Sequence, residues 1–334
     1  MEIQATLLTL INGYRNTALV YSAVKLGLID LMGDGDWTPD ALAQQAGCHS
    51  DGVQRLLQAL CAIGICEPTT GGGYRLTATG KALGSDAPSP MAAKAMLAVE
   101  QYADSWMRLP HCIRTGSPSF PEVRGQDVWQ WRRERPEADK LFGEWLSRET
   151  GQSARAIVDA YPFAPGSVVA DIGGGEGALL SALLSARNDC TGILFEQAGP
   201  IASAEARLGQ TPALTGRLRL VEGDFFREMG VTADVFVLKS VLHDWDDARC
   251  LAILRNIRRA LRPRDTLLLV ERMLDAPSGS GAETTLLDIH MMVMHGGRER
   301  SLESYRALLR QAGLEETALF PAASGHLVIE AKAA

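Results

Sequence analysis

Val168-Val169-Ala170-Asp171-Ile172-Gly173-Gly174-Gly175-Glu176-Gly177-Ala178-Leu179-Leu180 is an apolar strand that ends in an acid, runs into a glycine-rich turn and opens a helix. Glycines let the backbone bend sharply and let a ligand approach where a Cβ would clash. A dinucleotide-binding turn needs a third glycine to pack its helix on its strand, and Gly175-Glu176-Gly177 is followed by Ala178, Leu179 and Leu180 instead. The turn also carries Asp171 and Glu176, poor neighbours for a pyrophosphate and good ones for a cationic ligand.

Downstream of this stretch, strand-like and helix-like segments alternate, the pattern of a parallel α/β sheet. Expected strands are Ser167–Ile172, Gly192–Glu196, Arg217–Val221, Asp234–Lys239, Asp265–Glu271 and His326–Glu330. Leu251, Leu254, Ile257 and Leu261 mark the apolar stripe of a helix starting near Asp246. Upstream, Pro162-Phe163-Ala164-Pro165-Gly166 marks a boundary. Residues 96–160 read as helical connecting structure rich in aromatics, Trp129, Phe142 and Trp145 among them, which serve either as core or as the lining of a pocket for a flat molecule.

Residues 1–95 read as helical with one hairpin. Thr38 caps a helix with Pro39 in its first turn, and that helix stops at Gly47. A second helix begins after Ser50, with Val53, Leu56, Leu57, Leu60 and Ile63 at helical spacing. Thr69-Thr70-Gly71-Gly72-Gly73 then turns the chain into the strand Tyr74–Thr77, completing a winged-helix pattern. Winged helices often bind DNA, yet from Asp36 to Asp86 the bases are Arg55, Arg75 and Lys81 against five acids. A recognition helix without cationic flanks lacks most of its affinity for phosphates, so a packing or dimerisation module is expected.

The whole chain of 334 residues carries a net charge of −7, which also disfavours a polyanionic partner. No apolar run reaches the length needed to cross a bilayer, and the start Met1-Glu2-Ile3-Gln4-Ala5 has an acid where a secretory signal carries Lys or Arg. A cytoplasmic protein without membrane partners is the expectation. Six cysteines and six histidines are scattered without metal-ligand spacing, so reduced thiols and no metal are expected.

Further residues extend the glycine turn into a site. Glu196, at the tip of the next strand, can accept both ribose hydroxyl protons of an adenosine ligand. Asp224, in Glu222-Gly223-Asp224-Phe225-Phe226, can accept from an adenine amino group while Phe225 covers the ring face. His243, in Leu242-His243-Asp244-Trp245, follows the strand that ends at Lys239, beyond the carboxyl edge where open α/β sheets bind ligands. Glu271 and Glu299 fall at later strand or loop ends, and a histidine with carboxylate partners is oriented in one tautomer and raised in basicity.

Together these motifs resemble the small-molecule O-methyltransferases that use S-adenosylmethionine, in particular the bacterial secondary-metabolite enzymes and the plant caffeate-type enzymes. The likeness covers nearly the whole chain, with Leu-His-Asp-Trp and Gly296-Gly297-Arg298-Glu299-Arg300 its most specific segments. It implies a Rossmann-like methyltransferase domain over residues 161–334 and a winged-helix dimerisation domain over 1–95, hence a homodimer. It implies that Gly173 and Gly175 lie at the cofactor's methionine part and that Asp171 also binds the cofactor, with Glu196 on the ribose, Asp224 and Phe225 at the adenine, and Lys239 alongside. His243 would be the general base flanked by Glu271 and Glu299, with Trp145, Asp244, Met291, Met292 and His295 near the acceptor. Many relatives carry Asp where this chain has Glu196.

The expected activity is methyl transfer to a hydroxyl of an aromatic small molecule, with S-adenosylhomocysteine as product. Alternatives within the same fold are a hydroxylation, decarboxylation or pericyclic step. From other classes come a cofactor-sensing DNA-binding regulator and a nicotinamide-dependent oxidoreductase.

Overall fold

The computed structural model describes residues 2–88, 90–209, 211, 214–275 and 281–334. The chain divides into two compact units, Met1–Asp104 and Ser105–Ala334, the second taking in most of the helical stretch that precedes the sheet.

In the first unit, Thr38 Oγ1 accepts the Ala41 N–H at 3.3 Å to cap the helix Pro39–Ala46, which Gly47 ends at φ 64°. The next helix runs Ser50–Ala62 with His49, rather than Ser50, as its cap. Val53, Leu57 and Leu60 are buried, in a core shared with Leu28, Ile29, Met32 and Leu42. Strands β1 (Cys66–Pro68) and β2 (Tyr74–Leu76) form the expected antiparallel wing. β2 is one residue shorter than the sequence pattern suggests because Thr77 caps the helix Ala78–Lys81, its Oγ1 accepting the Gly80 N–H at 3.1 Å.

The second unit is built on seven strands: β3 (Val168–Ile172), β4 (Thr191–Glu196), β5 (Leu218–Glu222), β6 (Val235–Lys239), β7 (Thr266–Glu271), β8 (Leu314–Pro321) and β9 (Leu327–Ala333). Their order across the sheet is β5-β4-β3-β6-β7-β9-β8. β3 to β7 are parallel, whereas β9 runs antiparallel to β7 and β8 antiparallel to β9. The sheet is therefore mixed, not wholly parallel as expected. The chain enters β9 from a hairpin with β8 rather than through a crossover helix, and a hairpin reverses direction. The last expected strand, His326–Glu330, is the front of the longer β9.

Both faces of the sheet are covered. Along β6 every residue is buried, and its side chains alternate: Phe236 and Leu238 enter one core, Val235 and Val237 the other. Each such side chain contributes about 1.5–3 kcal/mol relative to exposure. The helix Asp247–Ala260 starts on Asp246, whose Oδ1 accepts the Arg249 N–H at 2.8 Å. It buries Cys250, Ile253, Leu254 and Ile257, while Leu251 from the expected stripe lies half-buried at its border. Chain order reverses between β3 and β6, which opens a crevice at the carboxyl ends of those strands.

Candidate active site

Two clusters meet at that crevice. The first follows β3. Gly173, Gly175 and Gly177 adopt φ of 70°, 57° and 75°, a left-handed backbone that strains other residues. A Cβ on Gly173 would stand 3.2 Å from both Phe225 and Val241, and one on Gly174 would collide with the Asp171 carboxylate. Asp171 is 1% exposed, and neither of its oxygens has a hydrogen-bond partner among the described residues. Burial pushes its carboxyl up to about 7, against the pull of the Lys239 ammonium. Glu196, at the end of the adjacent β4, is pushed up to about 7 by burial and, more weakly, by Asp171 and Asp139.

Lys239 ends β6 with its Nζ 3.2 Å from Thr150 Oγ1 and 3.9 Å from Glu149 Oε2, and burial pulls its ammonium down. The next residue, Ser240, is the only described non-glycine residue at positive φ, 51°. Glu149 and Thr150 lie on the helix Pro136–Ala160, and sequence reasoning missed both, since a Glu and a Thr on an amphipathic helix carry no motif. Asp224 spends Oδ1 on the Phe226 N–H of its own turn at 2.9 Å. Phe225 stands edge-on to Phe226 and Trp245, with ring centroids 5.0 and 6.1 Å apart.

The second cluster follows β6 and β7. After Ser240 the chain makes a three-residue turn, Leu242–Asp244, that presents His243. His243 Nδ1 is 2.7 Å from Glu299 Oε1 and 4.0 Å from Glu271 Oε2. In the neutral ring that contact places the proton on Nδ1, donating to the carboxylate, and leaves Nε2 as the acceptor. Glu271, fully buried at the end of β7, accepts the Val241 and Leu242 N–H groups on Oε1 at 3.2 and 3.0 Å. Asp244 Oδ1 lies 3.6 Å from His243 Nε2 and 3.7 Å from His295 Nε2.

Electrostatics separate these groups. Burial alone would lower His243, but Asp244, the Glu299 hydrogen bond and Glu271 outweigh it and raise the imidazole to about 10. Burial lifts Asp244 to about 6 and Glu271 to about 7, each restrained by His243. His295 is driven well below its ordinary value by burial and by the charges of Arg132, His290 and His243. One histidine in this cluster is therefore basic and the other stays neutral.

Aromatic rings line the same region. Trp129 stands 5.0 Å from the His295 ring and 6.1 Å from both Trp245 and Phe142. Trp145 meets this group through Phe142, at 5.8 Å. Arg132, 1% exposed, stacks its guanidinium 3.4 Å from the Phe142 ring centre. Trp129 and Arg132 are therefore closer to the histidine cluster than the sequence suggested. Their spacing on the helix Val128–Arg133 marks them only as part of an amphipathic turn. Met291 is buried and Met292 half-buried on the helix Gly281–Met294 that precedes His295. Among the described residues no group of three or more His, Cys, Asp or Glu side chains is arranged to hold a metal ion.

The arrangement fits S-adenosylmethionine. Two buried carboxylate oxygens without partners behind a side-chain-free turn suit a cationic ligand rich in N–H and O–H donors, whereas a phosphate would meet Asp171 and Glu196 as like charges. The family model for an O-methyltransferase domain matches residues 106–315, and that for an O-methyltransferase dimerisation domain matches residues 8–86. Phenazine O-methyltransferase PhzM of Lysobacter antibioticus is 35% identical over 335 residues, covering 99% of this chain and 97% of that protein. O-demethylpuromycin-O-methyltransferase of Streptomyces alboniger is 36% identical over 318 residues, covering 94% of this chain and 84% of that protein. Among solved structures, an O-methyltransferase from neocarzinostatin biosynthesis, in complex with S-adenosylmethionine and 2-hydroxy-5-methyl naphthoic acid, superposes with a TM-score of 0.85 at 32% identity. It covers 96% of each chain.

Proposed function

The chain belongs to the O-methyltransferase family and uses S-adenosylmethionine, and we propose that it methylates a hydroxyl group on an aromatic secondary metabolite with His243 as general base. When bound, the cofactor supplies an electrophilic methyl group on a sulfonium. Asp171, Gly173, Gly175, Glu196 and Lys239 hold it, with Asp224 and Phe225 at its adenine end. The chain's own task is to bind a flat acceptor, exclude water and take one proton. Trp129, Phe142 and Trp245, with Met291, Met292 and Trp145, form the wall against which such an acceptor stacks.

His243 Nε2 takes the hydroxyl proton as the oxygen becomes nucleophilic, and Asp244 and His295 sit beside that nitrogen. An imidazole raised to about 10 is matched to a phenol, also about 10, in driving force, but only its neutral fraction can take the proton, so the rate rises with pH. Glu299 holds the donating nitrogen and Glu271 pins the turn. The observation that carries this reading is the 2.7 Å contact between His243 Nδ1 and Glu299, which in the neutral ring reserves Nε2 for accepting a proton.

The relatives named for phenazine, puromycin and naphthoate chemistry support an aromatic acceptor. A homodimer is part of the same proposal. The helix Glu2–Ile11 leaves Ile3 79%, Leu10 72% and Ile11 66% exposed, an apolar surface that a second copy would cover. A particle mass twice the 36.0 kDa of the chain is expected in light scattering, falling to one chain in Leu10→Glu. No described helix is long and apolar enough to cross a membrane.

Calorimetric titration with S-adenosylmethionine and S-adenosylhomocysteine, alongside Asp171→Ala, tests the cofactor half. Incubation with a panel of phenols, hydroxynaphthoates and hydroxyphenazines, read by mass spectrometry, tests the acceptor. Binding lost in the variant and a gain of one methyl group are expected. A parent protein that binds neither ligand sinks the proposal.

A further inference from the structure

The segment Gly296–Arg300 does more than deliver the carboxylate that meets His243. Arg300 is 3% exposed, and its guanidinium reaches three points of the turn beside it. Nη1 donates to the Leu242 carbonyl at 2.9 Å, and Nη2 to the Trp245 carbonyl at 2.8 Å. Nε and Nη2 both meet Asp247 Oδ1, at 3.1 and 2.7 Å. The two carbonyls bracket the residues His243 and Asp244, and Asp247 opens the helix that follows.

Two backbone features complete the fit. The Arg298 N–H donates to the His243 carbonyl at 2.9 Å. A Cβ on Gly297 would strike the His243 carbonyl oxygen and the Asp244 carbonyl group, so this close approach is open to glycine alone. The segment is itself tied to the chain leaving β7, through the Leu274 N–H on the Arg300 carbonyl at 3.1 Å. The strand that carries Glu271 and the loop that carries Glu299 thus share one frame with the turn that carries His243.

We propose that Gly297 and Arg300 are positioning residues for methyl transfer, which set the backbone of Leu242–Trp245 so that the imidazole meets Glu299 and presents Nε2 to the acceptor. The inference rests on the reading of His243 as the base. A planar guanidinium can grip two carbonyls and a carboxylate at once, which a lysine ammonium cannot do at fixed geometry. A misplacement of about 1 Å at a reacting group costs about 10²-fold in rate.

The test compares Arg300→Ala, Arg300→Lys, Gly297→Ala and His243→Ala, assayed with the member of the acceptor panel that the parent methylates fastest. In Arg300→Ala and Gly297→Ala, kcat is expected to fall about 10–10²-fold while the KM for S-adenosylmethionine stays at the parent value. Guanidinium chloride at low millimolar concentration should restore part of the Arg300→Ala rate and none of the Gly297→Ala rate, a split that loss of folded protein would not produce. Arg300→Lys, which keeps the charge, covers the case in which Arg300→Ala does not fold; it should also lose kcat. Parent kcat per folded molecule in both Arg300→Lys and Gly297→Ala overturns the proposal. Parent turnover in His243→Ala defeats the base reading itself, a failure distinct from that of the positioning claim.

Discussion

The two halves of the crevice satisfy buried charge to different degrees. Asp171 is 1% exposed with both oxygens unpartnered, and its carboxyl is pushed up to about 7. Glu299 and Glu271 are as deeply buried, and one spends an oxygen on His243 and the other on two backbone N–H groups, while the second oxygen of each has no hydrogen-bond partner among the described residues. In the proton-handling half the chain itself satisfies one oxygen of each carboxylate. The cofactor half is held in a state that favours a ligand, since a buried carboxylate without partners carries a desolvation cost that a donor relieves. One region holds its carboxylates partly by contacts, and the other leaves Asp171 with none.

Four experiments press on that contrast. The largest change is expected in His243→Ala, which removes the base from a finished frame: turnover should fall about 10²–10⁴-fold with the affinity for S-adenosylmethionine retained. Unaltered turnover would merge the two halves into a purely positional site. Next, Asp171→Ala should weaken S-adenosylmethionine by about 10²-fold or more, the scale of removing one buried charged partner, while His243 still titrates as in the parent by NMR. A shifted titration would show that the halves are not independent.

The third experiment concerns stability in the absence of ligand. The folded carboxyl of Asp171 titrates near 7 against 3.8 for an ordinary aspartate, so the folded state favours its protonated form. Its cost is absent below the unfolded value, grows as pH rises and is complete above about 7. Asp171→Asn, which stays neutral, should therefore gain about 2–3 kcal/mol relative to the parent between pH 5 and pH 8 in denaturant unfolding. An advantage independent of pH would mean that Asp171 is not charged at a cost in the fold.

The smallest effect belongs to Glu299→Gln. The amide oxygen can still accept from Nδ1, but one negative charge is gone, so His243 should fall from about 10 toward its ordinary value. The base works when neutral, and turnover rises with pH as the imidazolium loses its proton. A lower imidazole value moves that rise to lower pH, with a plateau reduced about 10-fold because a weaker base drives transfer less. A limb that stays in place would remove Glu299 from the electrostatics of the base.

Much of this architecture is legible in the sequence where one local rule suffices. Thr38, Gly47, Asp246 and the glycine turn each have a backbone requirement that few residue types meet. Strands β3, β4, β6 and β7 read as short apolar runs because they are buried on both faces. β8 escaped because it is an edge strand: Leu314-Glu315-Glu316-Thr317 alternates poorly, and a bulge between Glu316 and Ala318 breaks its period. The positions of His243, Glu271 and Glu299 in the sequence suggest a cluster, and the structure brings them within 4.0 Å. Nothing local announces that Thr150 meets Lys239 or that Arg300 grips Leu242 and Trp245, since these contacts depend on how distant elements pack.

The grip of Arg300 falls on carbonyl oxygens, which every residue type possesses. The frame around residues 243 and 244 is thus indifferent to the side chains it displays, much as a chuck is indifferent to the bit. A lineage that exchanged His243 for another group would keep the turn, the cofactor edge and the aromatic wall intact. New chemistry on this scaffold is then within reach of single substitutions, because the holder and the tool are encoded by different residues.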